Sequence, residues 1–472
     1  FSRKSSEIET FVLLFMMHLG HLLAVLVAIA PVVTSLLVST QLHAPSHEGY
    51  FWTKRGGDDS TSSAVAYTAP SDLSRAPAWI WNNSNDEQIR HSPLIDDKKN
   101  IYVMSTLRLR KFTSDGELLW MNYYPECRMT ASPAMYEGTV FLLCPIAGKA
   151  SVDVKAVSMV SGEEQWSKAV QANVGEDSQS LLVNNGTIVF PMSDNNAQGT
   201  NDHMTNSWHA LNASNGDYLW HYFADEVVWN AAPATPGDGT LLFASSCGGA
   251  SRITFGGKLI WRVGAPKAPG RMCSTGGGSL GPNGLFYTEY TKDGGSAQVS
   301  AYQVSDGKLM WTKTFEKYGG GQYPAVGKLG PEGPLAVVVA IGDNPGIPPW
   351  LKAPSLALQN LDSVNSYLND PGQRTLAPRQ VNAVVAMDAT TGKLLWRWEE
   401  DVWDHFAAAG DEDEAMLKRA VQHSPENAIC LPDLQGIPLI TGDGTVYASS
   451  SHGGDLTAIR DKDGNGIIDA SE

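Results

Sequence analysis

Apolar and polar positions fall into two regimes along this chain. Phe11 to Val38 is an almost unbroken apolar run without a formal charge, interrupted by His18, His21, Thr34 and Ser35. Crossing a bilayer takes about 20 apolar residues, whereas the core of a cleaved signal takes roughly 7–15. The length therefore predicts a transmembrane helix acting as a signal anchor within residues 1–40, with Pro31 as a kink. His18 and His21 share one helical face and read as packing residues. Arg3 and Lys4 precede the run, and Lys54 and Arg55 follow it. Charge balance places the N-terminus inside and the body on the lumenal or extracytoplasmic side. Residues 41–77 turn small and polar and read as a linker.

Beyond residue 77 the period changes. Short apolar strands alternate with Gly-bearing turns, and a Trp follows each turn two to three residues on. The pattern recurs as TSDGELLW at Trp120, VSGEEQW at Trp166, NASNGDYLW at Trp220, TFGGKLIW at Trp261, VSDGKLMW at Trp311 and DATTGKLLW at Trp396. Most of these tryptophans stand roughly 40–55 residues apart, the length of a four-stranded blade. Asp or Ser opens each turn through its side chain, and Gly supplies the positive φ of a tight hairpin. Stretches such as ASPAMYEGTVFLLC, turning at Gly138, and LITGDGTVYASSS, turning at Gly444, predict pairs of inner strands. The expected fold is all-β: a seven-bladed β-propeller over residues 78–460, with insertions near 351–380 and 407–430. Trp79 and Trp81 read as an outer strand, and Ile437–Arg460 as inner strands, of one composite closing blade. Eight blades are the alternative if the chain continues past Glu472.

Composition agrees with a folded, glycine- and tryptophan-rich body: 42% of residues are apolar, 18% charged, and there are 46 Gly and 14 Trp. The net charge of −16 repels phosphate backbones, so no nucleic-acid partner is expected. Five cysteines lack any CxxC spacing, which argues against a zinc knuckle. Cys127 with Cys144, and Cys247 with Cys273, are candidate cross-strand disulfides; the alternative is five buried thiols. Sequons at Asn82, Asn185 and Asn212 are candidate glycosylation sites.

The repeats resemble the A-x-D-x-x-T-G-x-x-x-W repeat of PQQ-type β-propellers, and AVVAMDATTGKLLW (383–396) is similar to it throughout. That superfamily contains quinoprotein alcohol dehydrogenases and non-catalytic propellers, including an outer-membrane assembly lipoprotein. Two further motifs resemble the dehydrogenases. IGDNP followed by PPW (341–350) is similar to G-x-G-N-P-x-P-W, which implies Asn344 as a ligand to the Ca²⁺ that holds PQQ. EEDVWDHF (399–406) is similar to D-x-W-D, which implies Asp404 as catalytic base with Asp401 alongside. Phe406 stands where lanthanide-dependent members carry another Asp. The resemblance also implies Tyr323, after Gly319–Gly321, in place of the Trp beneath PQQ, and His452 in place of the Arg near the quinone oxygens. The family's metal-binding Glu has Glu289 and Asp293 as nearest counterparts, and the adjacent-cysteine disulfide is missing.

The chain ends DKDGNGIIDASE, which fits the EF-hand loop pattern. Asp461, Asp463 and Asn465 would supply oxygens, Ile467 its carbonyl, Asp469 an oxygen directly or through water, and Glu472 both carboxylate oxygens. The same residues fit a propeller hairpin, with DKDGNG in place of DATTGK. Because the quinone contacts are incomplete, the sequence favours a membrane-anchored, non-catalytic scaffold or interaction subunit of a larger complex. The alternative is a PQQ- and calcium-dependent alcohol or sugar dehydrogenase.

Overall fold

The computed structural model describes residues 49–82, 89, 91–127, 129, 131–146, 149, 151–171, 179–192, 207–224, 228, 232–245, 248–264, 275–292, 296–316, 318–342, 381–403, 436–450 and 453–469. No helix among them is long and apolar enough to cross a membrane, and the 11–38 run lies outside them.

The described chain is all-β and propeller-like. Seven antiparallel sheets follow one another in sequence, each built from consecutive strands. The second shows the pattern: inner strand Ala134–Tyr136, then Thr139–Pro145, Val152–Ser158 and outer strand Glu164–Val170. The inner hairpin turns at Glu137 and Gly138, with φ of 43° and 78°, as the Gly there predicts. Between their last two strands, six sheets carry the same register shift just before the outer hairpin, as at Ala156/Val157 and Ala386/Met387. A bulge increases local twist, and repeating it gives each outer strand the same offset.

Packing between sheets is equally regular. Six apolar clusters each join two successive sheets, from the first and second to the sixth and seventh. Between the fifth and sixth, for example, Tyr287 and Val299 meet Val337, Ile341 and Val385, all fully buried. Each such side chain contributes about 1.5–3 kcal/mol by leaving water.

The repeat tryptophans fasten these seams from outside. Trp120, Trp166, Trp220, Trp261 and Trp311 donate Nε1–H to Met159, Ala213, Phe255, Val304 and Ala389 carbonyls of the next sheet, at 2.7–3.4 Å. Each ring lies on the positive-φ glycine of the next outer hairpin, where a Cβ would come within 2.7–2.9 Å of it. Glycine is thus required twice over, for the turn and for the ring. Trp79 docks the same way on Gly116, donating to Ser114 O at 2.9 Å.

Closure departs from expectation. The seventh sheet has three described strands, Leu439–Ile440, Val446–Ser449 and Leu456–Ile459. Trp79–Trp81 form no strand beside them; both rings pack on Phe112 of the first sheet instead. Trp79 keeps the docking role of an outer-strand Trp without the ladder.

Candidate functional site at the inner strands

The inner strands of all seven sheets converge on one short segment. Residues 52–65 fall in the polar stretch that composition reads as a linker, yet Thr53, Lys54 and Ser60–Ser63 are buried. Met135, Thr235, Leu280, Val326 and Ile440 donate their backbone N–H groups to the carbonyls of Thr53, Asp59, Ser60, Ser62 and Ser63, at 2.7–2.9 Å. Trp52 exchanges two backbone bonds with Ile95 of the first sheet, and Asn184 of the third donates to the Asp59 carboxylate at 2.8 Å. The polarity of this stretch is satisfied inside the fold, as buried polar groups require.

The plug is compact. Thr53 N donates to Gly57 O, and Ser63 N to Gly56 O. Thr61 and Ser63 adopt left-handed φ of 56° and 46°, a conformation that costs non-glycine residues roughly 1–3 kcal/mol. Lys54 is fully buried and donates to Thr61 Oγ1 at 2.7 Å and Pro233 O at 3.0 Å. Burial lowers its pKa from 10.5 to about 8, against the raising influence of Asp59 and Asp58. Burial likewise raises the Asp58 carboxyl, although Ser62 donates to it twice. The signal for this cluster was the tight KRGGDD run at 54–59.

Tyr323 is also fully buried. The Arg55 guanidinium lies over its ring, 5.1 Å from the centroid, and Gly277 approaches its edge so closely that a Cβ would stand 3.1 Å from Cδ1. Burial raises its hydroxyl pKa to about 12, opposed by Arg55. The ring has no accessible surface in this structure, with Arg55 covering one face.

Near it, the Gly319–Gly320 strand pairs with the end of Leu335–Gly342, where the IGDNP motif begins. Glu289, on the neighbouring strand Leu285–Lys292, presses against Gly320; a Cβ there would lie 2.7 Å from Oε1. Among the described residues neither carboxyl oxygen has a hydrogen-bond partner, and burial alone pushes the pKa well above the usual carboxylate range. Asp401 is exposed beyond the sixth sheet. Asn344, Asp404, His452 and Asp293 lie outside the described residues.

The acidic terminal loop is ordered by its own backbone. Asp461 accepts from Gly464 N at 2.8 Å and Gly466 N at 3.0 Å, Asp463 from Asn465 N at 3.0 Å, and Asn465 Oδ1 from Ile467 N at 2.7 Å. Ile467 bridges Arg397 in parallel, seating the loop on the sixth sheet's outer strand. A cleft of about 520 Å³ opens between Leu329–Pro334, Trp396 and Arg460–Gly464. Asp469 is exposed, and Glu472 lies outside the described residues. The one His/Cys/Asp/Glu cluster among the described residues is Glu126, Cys127 and Cys144. There the two cysteines form a buried disulfide, as one of the two candidate pairings anticipates. Cys247 and Cys273 lie outside the description.

Comparison with known proteins upholds the PQQ-type propeller resemblance. Residues 77–221 match the family described as outer membrane protein assembly factor BamB. No curated protein sequence matches the chain. The fold is similar to the quinohemoprotein alcohol dehydrogenase ADHIIG of Pseudomonas putida HK5, with TM-score 0.52 and 11% identity over 89% of this chain and 75% of that one. It is similar to the quinohemoprotein alcohol dehydrogenase of Comamonas testosteroni, with TM-score 0.50 and 12% identity over 89% and 76%. At such identities the likeness is one of fold.

Proposed function

We propose that the chain is a non-catalytic PQQ-like propeller, a scaffold or interaction subunit of a membrane-associated complex. The observation that carries this reading is the plug: the inner strands bind the chain's own residues 52–65, and Tyr323 is enclosed beside it. The match of residues 77–221 to an assembly-factor family supports the same role. The apolar 11–38 run would tether the propeller to a membrane. The buried Cys127–Cys144 disulfide supports an oxidising, lumenal or extracytoplasmic compartment. Asn185, at an exposed hairpin tip, is then a suitable glycan acceptor. Incubation with PQQ and Ca²⁺ should leave no quinone on the protein after gel filtration and give no dye-linked alcohol oxidation. PQQ-dependent turnover abolished by Asp404→Asn would replace this reading with the dehydrogenase.

Glu289 favours that second reading, since an unpartnered buried carboxyl beside the IGDNP strand is unusual in a purely structural core. Calcium belongs to the proposal at the terminal loop, where Asp461, Asp463, Asn465, Ile467, Asp469 and Glu472 supply the hard oxygen donors that Ca²⁺ prefers. Titration calorimetry should give a saturable heat that Asp461→Ala abolishes; equal heats for both proteins would refute it.

A further inference from the structure

We propose that the inner strands form a binding channel for a looped peptide, and that residues 52–65, folded on themselves by the Thr53–Gly57 and Ser63–Gly56 bonds, are a releasable ligand the chain supplies to it. The contacts are those of peptide recognition, in which main-chain groups provide affinity and a few side-chain positions provide selectivity. Five sheets each give one N–H to a plug carbonyl, the first sheet exchanges a backbone pair, and the third reaches the Asp59 carboxylate through Asn184. Selectivity comes from a lysine in a buried socket, Lys54 on Thr61 and Pro233 O, and a carboxylate five residues later on Asn184.

Three further features mark the segment as separable from the sheets. Apolar clusters join the sheets in order from first to seventh, but among the described residues none joins the seventh to the first. That gap is crossed by the plug and the residues after it: Ser63 and Ala64 at Ile440, Tyr67 at Gly442, Pro70 at Tyr447, Trp79 at Ser114. The plug holds Thr61 and Ser63 in left-handed conformations, strain that its release would relieve. It is followed by an exposed stretch, Ser71 to Pro77, through which it is joined to the sheets without being packed by them. Release would leave the N–H groups of Met135, Thr235, Leu280, Val326 and Ile440 open to a peptide that adopts the same loop.

The test inserts a protease site within residues 71–76 of the full chain in detergent. After cleavage the N-terminal fragment should co-elute with the propeller at one to one. In the Lys54→Ala/Asp59→Asn variant it should dissociate at least tenfold faster, leaving a folded propeller by circular dichroism. A labelled peptide of residues 49–67 should then bind the emptied propeller saturably, and a scrambled peptide should not. The proposal is overturned if the nicked protein loses its plug only as the sheets unfold, in variant and parent alike. It is equally overturned if an emptied, folded propeller fails to take up the peptide.

Discussion

The joints between the first six sheets, and the link from the seventh to the first through residues 63–79, are made by different means. Each of the former combines an apolar cluster with a Trp laid on a glycine hairpin and bonded to its carbonyl. At the latter, the described residues show the Trp without the cluster, and hydrogen bonds from the plug segment take its place. The first kind is local, repeated and apolar. The second draws on residues far apart in sequence and is polar. Apolar side chains do not titrate, whereas a polar closure around buried Lys54 and Asp58 does.

The largest effect is expected where a hairpin glycine carries a Trp. Gly257→Ala meets both positive φ and the Trp220 ring at 2.8 Å, so it should destabilise by about 3 kcal/mol in urea unfolding. Gly138→Ala, with positive φ but open space around it, should cost about half as much. Equal effects would remove the Trp from the account of the seams.

The plug should respond to pH. Lys54 has a folded-state pKa of about 8, below its ordinary 10.5. The unfolded chain therefore binds more protons between those values, and stability should rise across that window by about 3 kcal/mol. Lys54→Met should flatten the rise, read as the difference between the two proteins' urea midpoints at pH 7.5 and pH 10. Glu289 has the opposite sign. Its folded-state pKa is raised, so its contribution is complete below the ordinary carboxylate range and is lost as pH climbs through the raised value. Glu289→Gln should remove that loss while leaving stability at pH 4 unchanged.

The smallest effects lie at the closing seam. Tyr447→Phe removes one bond to Pro70 O and should cost about 1 kcal/mol, with faster amide exchange at Ile440 and unchanged exchange at Val189. A uniform change across the sheets would erase the distinction between the two kinds of seam.

The repeated seams were legible because each is written in a few adjacent residues: a turn-opening polar residue such as Thr113, Ser158, Asn212, Thr254 or Asp388, the Gly, and the Trp after it. Trp120, Trp166, Trp220, Trp261 and Trp311 all dock as that pattern implies. The closing seam was not legible, because Trp79 docks without forming a strand and its partners come from both ends of the sequence. The plug was missed for a chemical reason. A Ser-, Thr- and Gly-rich stretch has the same composition whether its polar groups face water or seven inner strands. Tyr323 was placed by motif, and its enclosure by Arg55 depends on a residue more than 260 positions away. Glu289 was visible only as a nearby carboxylate; its burial without a partner comes from Gly320 pressing on it.

Native-state hydrogen exchange on the intact chain tests the central claim, that one segment joins the inner strands of all the sheets. Met135, Thr235, Leu280, Val326 and Ile440 all donate to residues 53–63. Their amides should exchange through one shared opening, with a common free energy that Lys54→Ala lowers at all five together. Five unrelated free energies, or a response confined to Thr235 beside the Lys54 socket, would contradict it.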